Sequence, residues 1–202
     1  TLSAVEIAAL PVTADSERAV LETGLVRRTR GGLAYRHALL AEAVRADLRD
    51  PEGTHLLVAL AVEAAAGPGD ERAAEVARHL QRAGRDDLAS PRWQRAARHA
   101  RSLGALPEAA AFWGEAVACD PDDGGLRLEL AEVQAWLGRP DEFERAWADA
   151  LARLAPDEQV VAWCRRGLIF KTVVCNPTAS HAAYRRAREL LLAVAEMGLP
   201  SA

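Results

Sequence analysis

The residues able to do chemistry are scattered along this chain. Five histidines (His37, His55, His79, His99 and His181) stand 18 or more residues apart, a spacing that offers no ready set of metal ligands. Neither a His-Glu-x-x-His nor a Gly-x-Ser-x-Gly signature occurs. Gly167-Leu168-Ile169-Phe170-Lys171-Thr172 ends in Lys-Thr but lacks the glycine that precedes the lysine in a phosphate loop, and it falls inside a helical stretch. The acidic doublets Asp86-Asp87 and Asp122-Asp123 flank helix starts, where capping accounts for them. The expectation is a chain with no catalytic residue, no metal and no cofactor of its own. One cluster of like charge stands out: Arg27, Arg28, Arg30 and Arg36 surround Gly31-Gly32. Four guanidiniums on one short hairpin suit contact with phosphate, and so with duplex DNA.

The elements that carry these residues are helices. Half of the 202 residues are hydrophobic and only 5% are aromatic, so the apolar mass is mostly alanine, leucine and valine, and composition leans all-α. Arginine outnumbers lysine 24 to one, a bias expected of a GC-rich genome. The formal net charge of −4 gives no global attraction to nucleic acid. No apolar run approaches the roughly 20 residues of a membrane span, and three cysteines without a C-x-x-C pattern fit a reducing cytoplasm. The start at Thr1 and the finish at Pro200-Ser201-Ala202 read as a segment of something longer.

Ala14–Thr23 forms a short helix ended by Gly24. The stretches 25–29 and 33–37, joined by Arg30-Gly31-Gly32, predict a β-hairpin. Helices are then expected over 38–48, 54–66, 70–83, 91–103, 108–119, 125–137, 141–154, 157–173 and from Pro177 to Met197, with short connections that favour antiparallel neighbours.

A 34-residue period runs through the second half. Gly104 and Gly138, Trp113 and Trp147, and Ala116 and Ala150 are each 34 apart. Counted from Ser90, Trp93 falls at position 4, Gly104 at 15, Ala109 at 20, Trp113 at 24, Ala116 at 27 and Pro121 at 32. This layout resembles the tetratricopeptide repeat. A second copy over 124–157 keeps Leu130, Gly138, Trp147 and Ala150 but has Arg127 and Phe143 at positions 4 and 20; a third, 158–202, keeps only the helix-pair shape. Small residues let paired helices approach, aromatics fill between pairs, and no pair buries its apolar face alone. Trp93, Trp113 and Trp147 are therefore expected in the core. Carrying over the family's groove positions gives Gln94, Arg98, Arg101, Glu132, Trp136 and Arg166 as a surface for a protein or small-molecule inducer. The alternative for the arginines is an ordinary solvated face.

The front of the chain carries a second resemblance. Gly24-Leu25-Val26-Arg27, Ala34-Tyr35-Arg36-His37-Ala38-Leu39-Leu40-Ala41-Glu42-Ala43-Val44 and Ala73-Ala74-Glu75-Val76-Ala77-Arg78-His79-Leu80-Gln81-Arg82-Ala83-Gly84 are similar to the region after the ATPase core in large LuxR-type bacterial transcriptional regulators. The resemblance implies a partial winged-helix module over 1–50, connecting helices over 51–89 and tetratricopeptide-like repeats over 90–202. It further implies ATP or ADP bound elsewhere in the full-length protein, with His37 as a nucleotide contact, DNA bound through a domain outside this chain, and a role for self-association. A histidine that merely caps its helix or packs beside Tyr35 is the alternative for His37. The fold expected is an all-α, antiparallel helix-pair superhelix with a small winged-helix-like front containing one hairpin. A free-standing tetratricopeptide adaptor and direct DNA binding through the hairpin are the competing functions.

Overall fold

The computed structural model describes residues 14–29, 32–36, 49–66 and 70–196. Among them the chain is all-α apart from one two-stranded antiparallel sheet: α1 (Ala14–Glu22), β1 (Val26–Thr29), β2 (Gly32–Tyr35), α2 (Pro51–Ala66), α3 (Ala73–Arg82), α4 (Asp86–Ser102), α5 (Leu106–Cys119), α6 (Gly124–Trp136), α7 (Pro140–Leu151), α8 (Pro156–Thr172) and α9 (Pro177–Glu196). The helix expected over 38–48 lies outside the described residues. Two compact units divide at Ala96 and Ala97, within α4.

In the first unit the expected hairpin forms with Val26 opposite Tyr35 and Thr29 opposite Gly32. Arg28 ties it to α1 through Glu17, Nη2 to Oε1 2.6 Å. Helix α2 begins three residues before the expected Thr54, because the Asp50 side chain accepts from the Gly53 amide (2.8 Å) and Pro51 occupies the first turn, where its missing N–H costs nothing. Helix α3 buries Ala73, Val76, Ala77 and Leu80, the i, i+3, i+4, i+7 stripe of an amphipathic helix. It packs against α2.

Helix α4 departs most from expectation. Pro91 reads as its first residue, yet the helix starts at Asp86 and Pro91 lies inside it. The acidic first turn, Asp86-Asp87, favours an N-terminus there. Pro91 can supply no N–H to the Asp87 carbonyl.

In the second unit α5 packs on α6, α6 on α7 and α8 on α9, while α6 also touches α8. The core joins Leu128, Ala131 and Ala135 of α6 to Phe143, Trp147 and Ala150 of α7 and to Ala162 and Ile169 of α8.

Four turns share one design. Gly84, Gly104 and Gly138 have left-handed φ values of +66°, +76° and +69°, and Cys175 takes the same place with φ +54°. After the three glycines the following amide reaches back five residues, as in Ala105 N to Ala100 O, 2.9 Å, and Arg139 N to Gln134 O, 3.0 Å. This is the helix-ending motif that glycine permits without a Cβ penalty. After Cys175 the reach is six residues, Asn176 N to Phe170 O, 2.8 Å.

From each left-handed residue the chain repeats a pattern at +5, +9 and +12. The sets are Ala89, Trp93, Ala96; Ala109, Trp113, Ala116; Phe143, Trp147, Ala150; and Ser180, Tyr184, Ala187. All are buried except Tyr184. The turns lie 20, 34 and 37 residues apart. The first interval is short because α4 is both the helix after the Gly84 turn and the helix before the Gly104 turn. Trp93 therefore belongs with the Gly84 turn, and its Nε1 donates to Gln81 Oε1 across that turn (3.1 Å).

Candidate interaction face

The residues proposed for a groove do not all come together. Arg101 of α4 and Glu132 of α6 come together: Arg101 Nη1 lies 3.2 Å from Glu132 Oε2 and 3.6 Å from Glu129 Oε2. The residue completing this row is Arg165 of α8, whose Nε lies 2.6 Å from Glu132 Oε1 and whose Nη2 lies 2.8 Å from Glu129 Oε1. Arg101, Glu129, Glu132 and Arg165 thus form one neutral network across three alternate helices. Burial works against the charge on Arg165, but its hydrogen bonds and proximity to Glu132 and Glu129 win, and its proton is held more firmly than an ordinary guanidinium's. Pairs of this kind, partly withdrawn from water, are less screened than surface pairs.

Trp136 sits one turn beyond Glu132 on α6 with 49% of its surface exposed, and Leu168 sits one turn beyond Arg165 on α8 with 54% exposed. Val161, one turn before Arg165, is also exposed. Apolar side chains thus flank the ion-pair row on the same helical faces.

Arg166 does not join this row. Its guanidinium carbon lies 4.8 Å from the Phe170 ring centroid, 5.0 Å from Phe143, 5.1 Å from Trp147 and 5.7 Å from Trp163. Its Nη2 reaches Glu144 Oε1 at 2.6 Å. It packs between α7 and α8 as a cation among aromatic faces. Arg98 is exposed and lies over Trp113, 5.9 Å from the ring centroid. Gln94, in the first unit, reaches Ser90 Oγ (3.4 Å).

Sequence reasoning missed Arg165 and Glu129. The sequence did not announce them: the frame that brings Arg165 into the row counts back from Cys175, whose left-handed backbone only the structure reveals.

Elsewhere in the first unit, Arg72, Arg92 and Arg95 line a shallow pocket with Glu63. Each already has a carboxylate: Arg72 takes Glu75 (2.8 Å), Arg92 takes Glu63 (3.0 Å) and Arg95 takes Asp70 (2.8 Å). In the basic hairpin Arg27 and Arg36 are exposed, while Arg28 is engaged by Glu17. Arg30 and His37 lie outside the described residues. Among the described residues no three His, Cys, Asp or Glu side chains gather as metal ligands, and no helix is long and apolar enough to cross a membrane.

No protein-family profile matches this chain, and no curated protein matches it. Among solved structures, the crystal structure of MamA is similar over 77% of this chain and 86% of that chain, at 13% sequence identity and a TM-score of 0.46.

Proposed function

We propose that this chain is a non-catalytic regulatory and interaction segment of a multidomain ATP-dependent transcriptional regulator in the cytoplasm, binding a protein partner or an inducer on α4, α6 and α8. The observation that carries the binding face is the neutral Arg101–Glu129–Glu132–Arg165 network flanked by exposed Trp136, Val161 and Leu168. The charges of the row satisfy one another, so they fix the helices in place and leave the apolar side chains to supply contact area. An exposed tryptophan beside satisfied polar groups is the composition of a binding hot spot.

The regulatory setting rests on the LuxR-type resemblance of residues 24–44 and 73–84. In that setting the front segment follows an ATPase core, and nucleotide state reaches the repeats through it.

The test uses the full-length gene product. Replacing Trp136 and Leu168 together by alanine is expected to abolish the transcriptional response to the inducing condition while ATP binding persists. An unchanged response, or a gene product with no nucleotide-binding segment, overturns the reading.

A further inference from the structure

His55 on α2 and His79 on α3 face each other with their Nδ1 atoms 2.9 Å apart and their ring centroids 5.1 Å apart, the planes tilted by 47°. Two nitrogens at that distance share one proton: one imidazole carries its hydrogen on Nδ1 and donates, and the other presents a bare Nδ1 lone pair. The second ring must then be protonated on Nε2. The pair bridges two helices that pack on each other in the first unit.

From this geometry we infer that His55 and His79 form an acid-sensitive clasp between α2 and α3, closed while the pair holds one or no extra proton and opened by a second.

The proton count gives the order of events. In the neutral pair, one Nδ1–H donates to the other Nδ1. The first added proton goes to the free Nε2 of the donor ring, making it an imidazolium whose Nδ1–H donates more strongly, so the clasp is kept. The second must go to the Nδ1 of the acceptor ring. Both facing nitrogens then carry hydrogen, no lone pair remains between them, and two cations stand at hydrogen-bond distance.

The surroundings set where this happens. Burial, and then Arg82, hold His55 below its ordinary value. For His79 burial comes first, followed by His55, Arg82 and Arg78, all lowering it, with Glu75 alone opposing. Glu75 is itself engaged by Arg72 through two hydrogen bonds, 2.9 and 2.8 Å. Among the described residues the groups acting on the pair are therefore net cationic. A histidine whose folded pKa lies below its unfolded value leaves more protons on the unfolded chain. Stability is then full above pH 6.5 and falls as pH drops below it.

The experiment is a nitrogen-15 NMR titration of the imidazoles in the full chain, with amide hydrogen exchange across α2 and α3. At pH 7.5 the clasp predicts one of the two rings with its proton on Nδ1, and a midpoint below 6.5 for the second proton the pair takes up. Exchange protection in α2, corrected for intrinsic rate, is expected to fall at least tenfold between pH 7 and 4.5 in the natural chain and to lose that dependence in His55→Gln. Two rings both protonated on Nε2 at pH 7.5, or a midpoint at or above 6.5 for the second proton, overturns the clasp. So does a His55→Gln chain that loses protection with acid as the natural one does. If His55→Gln does not fold, the ring protonation pattern of the natural chain decides alone.

Discussion

Arg165 on α8 places its Nε 2.6 Å from Glu132 Oε1 on α6, joining two helices that are separated in sequence by the whole of α7. The same guanidinium holds Glu129, and the two glutamates also hold Arg101 of α4. Three alternate helices are thereby fixed in register by one neutral set of charges.

Removing Arg165 leaves two carboxylates facing each other with only Arg101 between them. Arg165→Ala is expected to destabilise the chain by about 1–2 kcal/mol, and a cycle with Glu132→Ala to give a coupling of roughly 1 kcal/mol. Urea unfolding of the single and double variants measures both. Additive variants would show that the pair contributes nothing beyond its separate side chains.

Gly104 and Gly114 lie ten residues apart and should respond oppositely to alanine. Gly104 has φ +76°, and a Cβ there meets nothing within 4 Å, so the effect is purely one of backbone conformation. Gly104→Ala is expected to cost about 1 kcal/mol. Gly114 sits inside α5 with open space around its missing Cβ, so Gly114→Ala is expected to stabilise by about 0.5–1 kcal/mol. Thermal unfolding of the two variants gives the signs directly.

Cys175 offers the converse test. It is exposed and holds φ +54°, a conformation that costs an L-residue energy. Cys175→Gly should therefore stabilise the α8–α9 pair by about 0.5–1 kcal/mol, less than the full relief because glycine also loosens the unfolded chain. A lower melting temperature for Cys175→Gly would show that the side chain contributes packing or bonding there.

These glycines also mark where the sequence could be read and where it could not. Gly104 and Gly138, 34 apart with Trp113 and Trp147 nine residues beyond, announce helix pairs to anyone who tests a fixed offset. The Gly84 turn carries the same pattern but escapes that test, because the shared helix α4 shortens its interval to 20. Trp93 satisfies two frames at once, and Pro91, a residue suited to a helix's first turn, favours the later one. The Cys175 turn is hidden for a chemical reason, since cysteine is not a residue that signals a left-handed backbone. Counting forward from Glu158 selects Arg166, whereas counting back from Cys175 starts the pair three residues later, at Val161, and puts Arg165 where Gln94 stands in the first copy; neighbouring residues on a helix are about 100° apart. Choosing the neighbouring arginine thus exchanges a position in the ion-pair row for one among four aromatic rings.

Site-specific photo-crosslinking in the source cells shows whether α4, α6 and α8 present the face that meets a partner. Benzoylphenylalanine in place of Trp136 or Leu168 is compared with the same probe at Arg145, a side chain 76% exposed on α7. One dominant adduct of the same mass is expected from Trp136 and Leu168, and none from Arg145. Equal adducts from Arg145, or none from either face position in cells where the protein is active, would contradict it.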